Sequence, residues 1–364
     1  VTASEGRFDV GVVGATGYTG RELCRLLLGH RAVRRILPTA RGDERFEATH
    51  RNMTGSGLEF TSFETLRRAA HGLGVVFFCT PSGEAMASAG EFLEAGVRVV
   101  DLSADFRFPE AEAYRRAHGV EHSAPHLLPV AQYGATELYR DAIRAARLIA
   151  NPGCYVIAAL LGLAPLMRDP RIDLDARITI HAINGTTGAG KTVRTELMHA
   201  AAANTILPYS LEGHRHAPEI EEQLARLAGR SVTIDLSTAH GNFPRGIFLQ
   251  ANVVVRDAYR RDVARDSLLA HYRDAYAAEH FIQVVGGARS DASHAKDYHL
   301  YPDMASVIGS NFNHLGLDYD SSRGTIKVIS VIDNLVKGAA GSAIQNMNVM
   351  MGIAECEAIG HYGL

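Results

Sequence analysis

Tryptophan is missing from all 364 residues and aromatic side chains make up only 7%, which leaves no supply of flat rings for a base-stacking platform. Charge of one sign is also lacking. The 37 Lys+Arg are balanced by 40 Asp+Glu, a formal net charge of −3, which argues against nucleic acid or an anionic membrane as the main partner. Cysteine is scarce: Cys24, Cys79, Cys154 and Cys356 lie far apart with no CxxC pair. That pattern excludes a disulfide framework and gives a zinc site no support, so no metal is expected, and a reducing, cytoplasmic compartment fits. The opening VTASEGRFDVGVVG has no basic region ahead of an apolar run, so no secretory signal is expected. The one long uncharged run, Leu148 to Met167, has 20 residues, the length of a membrane span. Asn151-Pro152-Gly153 and Pro165 interrupt it, however, and it reads as a strand, a sharp turn and a buried helix of a soluble protein.

What the chain does have is glycine, 35 residues of it, and a length that favours two domains. Over residues 7–150, FDVGVVGA, VRRILPT, GVVFFCT and VRVVDLS alternate with helical stretches, beginning with one at Arg21–Leu28. Such β-branched runs with crossover helices predict a doubly wound parallel sheet of Rossmann type. From Asn151 the texture changes. RITIHAI, SVTIDLST, GIFLQANVVVR and TIKVISVI predict longer strands of a mixed sheet, with helices at 154–167, 192–203 and 218–227. The expected layout is a dinucleotide domain over 1–150, an α+β catalytic and dimerisation domain over 151–333, and a last helix near 334–357 returning to the first domain.

GVVGATGYTG places Gly11, Gly14, Gly17 and Gly20 at three-residue steps between the first strand and its helix. Glycines there let backbone approach a pyrophosphate, and the helix N-terminus offers it N–H groups and positive dipole. The next strand ends in Leu37-Pro38-Thr39-Ala40-Arg41, with arginine where an NAD site usually has an acid. A guanidinium suits a 2′-phosphate, so NADP(H) is favoured, although Arg41 also reads as a solvated loop charge.

Asn151-Pro152-Gly153-Cys154 resembles a helix start, with Asn151 as cap, so Cys154 falls in the first turn, where the dipole favours thiolate. The bland alternative is a small buried residue. His214-Arg215-His216-Ala217-Pro218-Glu219 supplies two histidines two apart, with His216 just before a helix opened by Pro218. A second loop, Gly185 to Thr192, is a literal GxxxxGK[ST] match between a strand and a predicted helix. Alone it points to an ATP-using enzyme relying on Lys191.

Taken together, GVVGATGYTG, DLSADFR, NPGCY, GTTGAGK, HRHAPEIEEQL, PRGIF and DNLVKGAAGSAIQNMN resemble the N-acetyl-γ-glutamyl-phosphate reductases, the arginine-pathway branch of the semialdehyde dehydrogenase superfamily. The resemblance implies NADPH-dependent reduction of an acyl phosphate to an aldehyde, through a thioester on Cys154, in a homodimer or homotetramer. It implies His216 as acid/base with His214 second, and Glu219 orienting the pair. Cofactor contacts are expected from Gly14, Thr16, Gly17, Tyr18, Thr19, Gly20, Thr39, Arg41, Cys79, Pro81, Ser82, Gly188, Ala189 and Asn334. Substrate contacts are expected from Arg107, Asn151 and Arg245. PSGEAM, YGATEL and HGNFPRGIF depart from the family pattern, and they keep open a sister reductase acting on a carrier-protein-linked aminoadipyl or glutamyl phosphate.

Overall fold

The computed structural model describes residues 7–289 and 296–363, and it divides the chain into two compact units, 1–153 with 339–361, and 154–338 with 362–364. In the first, apolar runs form six strands: β1 (Phe8–Val13), β2 (Val33–Pro38), β3 (Leu73–Phe78), β4 (Arg98–Asp101), β5 (Ala131–Tyr133) and β6 (Leu148–Ala150). They pair in the order β2-β1-β3-β4-β6-β5, and every pairing is parallel. Val76 and Phe78 face a core cluster with Phe92, Phe106 and Tyr114, while Val75 and Phe77, pointing the other way, are equally buried. Both faces are thus covered, as a parallel sheet requires. Helices Tyr18–Leu27 and Thr136–Ala145 pack against the last helix, Gly341–Met351.

The second unit holds β7 (Ile178–Asn184), β8 (Leu207–Tyr209), β9 (Ile234–His240), β10 (Ile247–Val254), β11 (Ile282–Val284), β12 (Asn313–Asp320) and β13 (Thr325–Ile332). Their order is β11-β12-β13-β10-β7-β9-β8, with parallel and antiparallel pairs mixed. Side chains at Ala251, Leu249, Val328 and Ser330 are buried, and Gly162 of the helix Cys154–Leu163 lies against Val328 and Ser330. The opposite face carries Ile183, Phe248, Gln250, Asn252, Lys327 and Ile329, all half-buried, in register across β7, β10 and β13.

Several expected elements differ. The helix expected over 192–203 is a single 3-10 turn, Thr195–Leu197, followed by four helical residues, His199–Ala202. The helix expected from Asn334 begins at Gly341, because Asp333, fully buried, takes the Leu335 and Val336 amides and a π-type turn fills Val336–Ala340. Strands β5, β8, β11 and β12 had no strong sequence signal. Three of them have only three residues, too few for alternation to show. No helix among the described residues is long and apolar enough to cross a membrane.

Candidate active site

The glycine loop leaves β1 at the point where the strand order reverses, between β2 and β3, which is where doubly wound sheets bind ligands. Gly14 has φ +77°, and a Cβ there would stand 2.5 Å from the Cys79 carbonyl oxygen. A Cβ on Gly20 would stand 2.6 Å from Ala15 Cα. Only glycine lets helix, loop and β3 approach this closely. The helix that follows has Gly17 as N-cap, no capping side chain and no acid in its first turn. Residues Thr16 to Gly20 therefore present a helix N-terminus without a competing carboxylate, and this fits a pyrophosphate. Thr39 is buried and holds the loop, its Oγ1 accepting the Gly14 amide and its carbonyl the Ala15 amide. Arg41 is exposed and paired with Glu84. Cys79 meets the loop through its backbone, while burial and the neighbouring Cys24 and Asp101 push its thiol well up. Pro81 and Ser82 lie exposed in the loop after β3.

Arg107 and Asn151 are both buried, Arg107 bonding backbone carbonyls and Asn151 bonding side chains of the last helix. Arg107 is buried, and its guanidinium donates to the Asn151 and Leu102 carbonyls, at 2.9 Å each. The cap expected from Asn151 does not form. Its side chain is enclosed by the last helix, donating to Ser342 Oγ at 3.0 Å and accepting from Asn346 Nδ2 at 3.0 Å. Ser342 and Asn346 sit one helical turn apart, which is what lets them grip one amide.

In the second unit Cys154 is the first residue of its helix and partly exposed. A Cβ on Gly338 would lie 2.9 Å from Cys154 Cβ, so this glycine is what gives the cysteine room. Rings gather beside it. Tyr155 makes edge contacts with His214 at 5.5 Å and His216 at 5.9 Å, and the two imidazoles are 4.7 Å apart. Tyr209 donates to Tyr155 Oη at 3.0 Å and stacks on His240 at 4.2 Å. Burial raises both phenols, Tyr209 to about 12, and Cys154 is a further cause for each. The helix begins at His216, two residues before the Pro218 start that the sequence predicts, and Glu219 is buried in the same first turn. His214 Nδ1 accepts the His216 amide at 3.1 Å, and burial, then Arg215 and His240, lowers its pKa to about 4. Its remaining proton at neutral pH is consequently on Nε2.

The GxxxxGK match does not form a phosphate cradle. Residues Thr186–Ala189 make one 3-10 turn, and the amides of Gly185, Thr186 and Thr187 donate to the carbonyls of Gly246, Phe243 and Pro244. Gly188 and Gly190 amides close on the loop itself, and Lys191 is exposed. With its N–H groups spent and no helix behind it, this loop is a packed turn, and the ATP reading loses its basis. Gly185 is required here because a Cβ would stand 2.5 Å from the Pro244 and Arg245 backbone. Asn334 stitches the same turn, donating to Thr187 Oγ1 at 3.0 Å and accepting the Gly246 amide at 2.8 Å. It lies ahead of the last helix instead of opening it. Arg245 Nε is 2.9 Å from buried Asp333.

Tyr155, Tyr209, His240 and Asn184 escaped sequence reasoning. Asn184 and His240 end β7 and β9 in register, with Nδ1 of His240 2.6 Å from Asn184 Oδ1. Two polar residues at the carboxyl ends of apolar strands, ITIHAIN and IDLSTAH, were the available signal.

Comparison with known proteins identifies both domains. Residues 9–146 match the semialdehyde dehydrogenase NAD binding domain, and 154–334 match the semialdehyde dehydrogenase dimerisation domain. The N-acetyl-gamma-glutamyl-phosphate reductase of Azotobacter vinelandii is 40% identical over 359 residues, covering 98% of each chain, and that of Moorella thermoacetica is 37% identical over 362 residues, covering 97% of this chain and 98% of that one. The chain belongs to the N-acetyl-gamma-glutamyl-phosphate reductase family. The fold is also that of solved relatives. Aspartate semialdehyde dehydrogenase II from Vibrio cholerae, complexed with ASA, aligns with TM-score 0.68 at 18% identity, covering 95% of this chain and 98% of that one. The Candida albicans enzyme with NADP aligns with TM-score 0.64 at 16% identity over 95% and 98%. The reductase family's two domains thus account for nearly the whole chain.

Proposed function

We propose that the protein reduces N-acetyl-γ-glutamyl phosphate to N-acetylglutamate semialdehyde with release of phosphate, using NADPH, as part of arginine biosynthesis. The observation that carries this reading is Cys154 at a helix start among Tyr155, Tyr209, His214 and His216, in a chain about 40% identical to reductases of that name.

Cys154 attacks the acyl-phosphate carbonyl, the carbon–oxygen bond to phosphate breaks, and a thioester forms on Sγ. The Gly14–Gly20 loop would hold reduced nicotinamide dinucleotide, with Arg41 toward its 2′-phosphate, and the cofactor would supply the hydride that reduces the thioester carbonyl. Collapse of the thiohemiacetal on Cys154 then frees aldehyde and restores the thiolate. His216 takes the thiol proton as Cys154 attacks, lends it to the carbonyl oxygen on reduction of the thioester, and recovers it as the thiohemiacetal collapses. His214, neutral with its proton on Nε2, donates a hydrogen bond and is a poor base, a division that follows from its low pKa and its bond to the His216 amide. Glu219, buried at the same helix start, orients His216. Arg107 acts by holding the Asn151 carbonyl, three residues before the nucleophile. Arg245 is the substrate-carboxylate ligand in this reading, with Asp333 fixing its direction. Gly188, Ala189 and Asn334 shape the turn expected near the nicotinamide.

A homo-oligomer formed through the open face of the second sheet, with Ile183, Phe248 and Ile329 against a second copy, is part of the proposal. So is a cytoplasmic location, since an oxidising compartment would cap a reactive thiol. The test is the reverse reaction: N-acetylglutamate semialdehyde, NADP⁺ and phosphate are expected to yield NADPH. Turnover only with a carrier-protein-linked semialdehyde would move the protein to the sister reductases.

A further inference from the structure

The ion pair between Arg41 and Glu84 occupies a telling place. Arg41 follows β2 and Glu84 follows β3, and these strands flank β1, whose end is the glycine loop. The two side chains therefore meet across the mouth of the crevice where a dinucleotide would lie. The β3 side of this bridge is well anchored. Gly83, left-handed at φ +99°, and Met86 donate their amides to the buried carboxylate of Asp105, at 2.8 and 3.0 Å, and this fixes the start of the helix Glu84–Glu94. The arginine side is loose: its side chain is 81% exposed, against 38% for Glu84.

We propose that Glu84 is a cofactor-selectivity residue that competes with the 2′-phosphate of NADPH for the Arg41 guanidinium. This rests on the reading above, in which Arg41 contacts that phosphate. A phosphate arriving at Arg41 meets a carboxylate already there, and it must displace it or bind beside a like charge. A ribose 2′-hydroxyl suffers no such repulsion and can donate to Glu84, so the carboxylate trims the preference for NADPH over NADH. The magnitude follows from exposure. A solvated pair is a weak competitor, so the effect is severalfold and far from all-or-none.

The experiment is direct binding of NADPH and NADH to the full-length protein without substrate, followed by nicotinamide fluorescence, for wild type, Glu84→Ala, Glu84→Gln, Arg41→Ala and the Arg41→Ala/Glu84→Ala double variant. Arg41→Ala is expected to weaken NADPH about tenfold or more with NADH little changed. Both Glu84 variants are expected to tighten NADPH about two- to fivefold without tightening NADH, a gain that shrinks at high salt. In the Arg41→Ala background the Glu84 substitution is expected to do much less, since its target is gone. NADPH binding unchanged or weakened in the Glu84 variants, while Arg41→Ala still discriminates, overturns the competition. Equal loss of both nucleotides in Arg41→Ala overturns the reading of Arg41 itself, and the competition with it.

Discussion

At Cys154 the structure gives a thiol three things: a helix start, partial exposure, and a glycine opposite. Gly338 tests the last of these. An added methyl would crowd Cys154 Cβ at 2.9 Å, so Gly338→Ala is expected to lower kcat by about ten- to hundredfold with NADPH binding unchanged. Steady-state kinetics beside a nucleotide titration checks it, and unchanged kcat would show that the close approach has no role. The four cysteines should also separate chemically. Burial pushes the Cys24 thiol up to about 12 and Cys79 well up, whereas Cys154 is partly exposed and Cys356 exposed. Brief iodoacetamide treatment at neutral pH, mapped by mass spectrometry, is expected to label Cys154 and Cys356 and spare the other two. Much of this was legible in NPGCY and HRHAPEI, because the proposed nucleophile and base sit in short local strings. Tyr209 and His240 were not, since only the pairing of β8 with β9 brings them to one ring stack.

Among elements, β4 and its following turn carry a titration of their own. Asp101 is fully buried beside Asp105, and burial first, then that neighbour, raises its pKa to about 7. An unfolded chain would ionise it near the usual value of 3.8. Between those values the folded protein holds a proton the unfolded one lacks, so this group's contribution to stability is present at low pH and lost as pH rises toward 7. Asp101→Asn removes that slope. The Tm of the variant relative to wild type is expected to be higher at pH 8 than at pH 5, and an offset equal at both would contradict the assignment. The strands themselves were the readable part of the fold, because runs such as GVVFFCT and TIKVISVI are long enough to declare themselves. The predicted helix over 192–203 failed for a reason of context. Arg194 and Met198 both take extended backbone, so the segment breaks into the 3-10 turn Thr195–Leu197 and the short helical run His199–Ala202.

For the molecule as a whole, the open face of the second sheet is the proposed contact with a second copy. Replacing Ile329 with Glu, in register with Gln250 on that face, is expected to reduce the particle mass seen by light scattering while the far-ultraviolet circular dichroism stays the same. An unaltered mass would place the contact elsewhere. Passage of the acyl group through Cys154 is checked by trapping it on the enzyme. Protein given N-acetylglutamate semialdehyde and NADP⁺ with no phosphate is expected to produce a burst of NADPH and stop, leaving an N-acetylglutamyl thioester on the Cys154 peptide. Continued turnover without phosphate, or an acyl group found on any other residue, would contradict it.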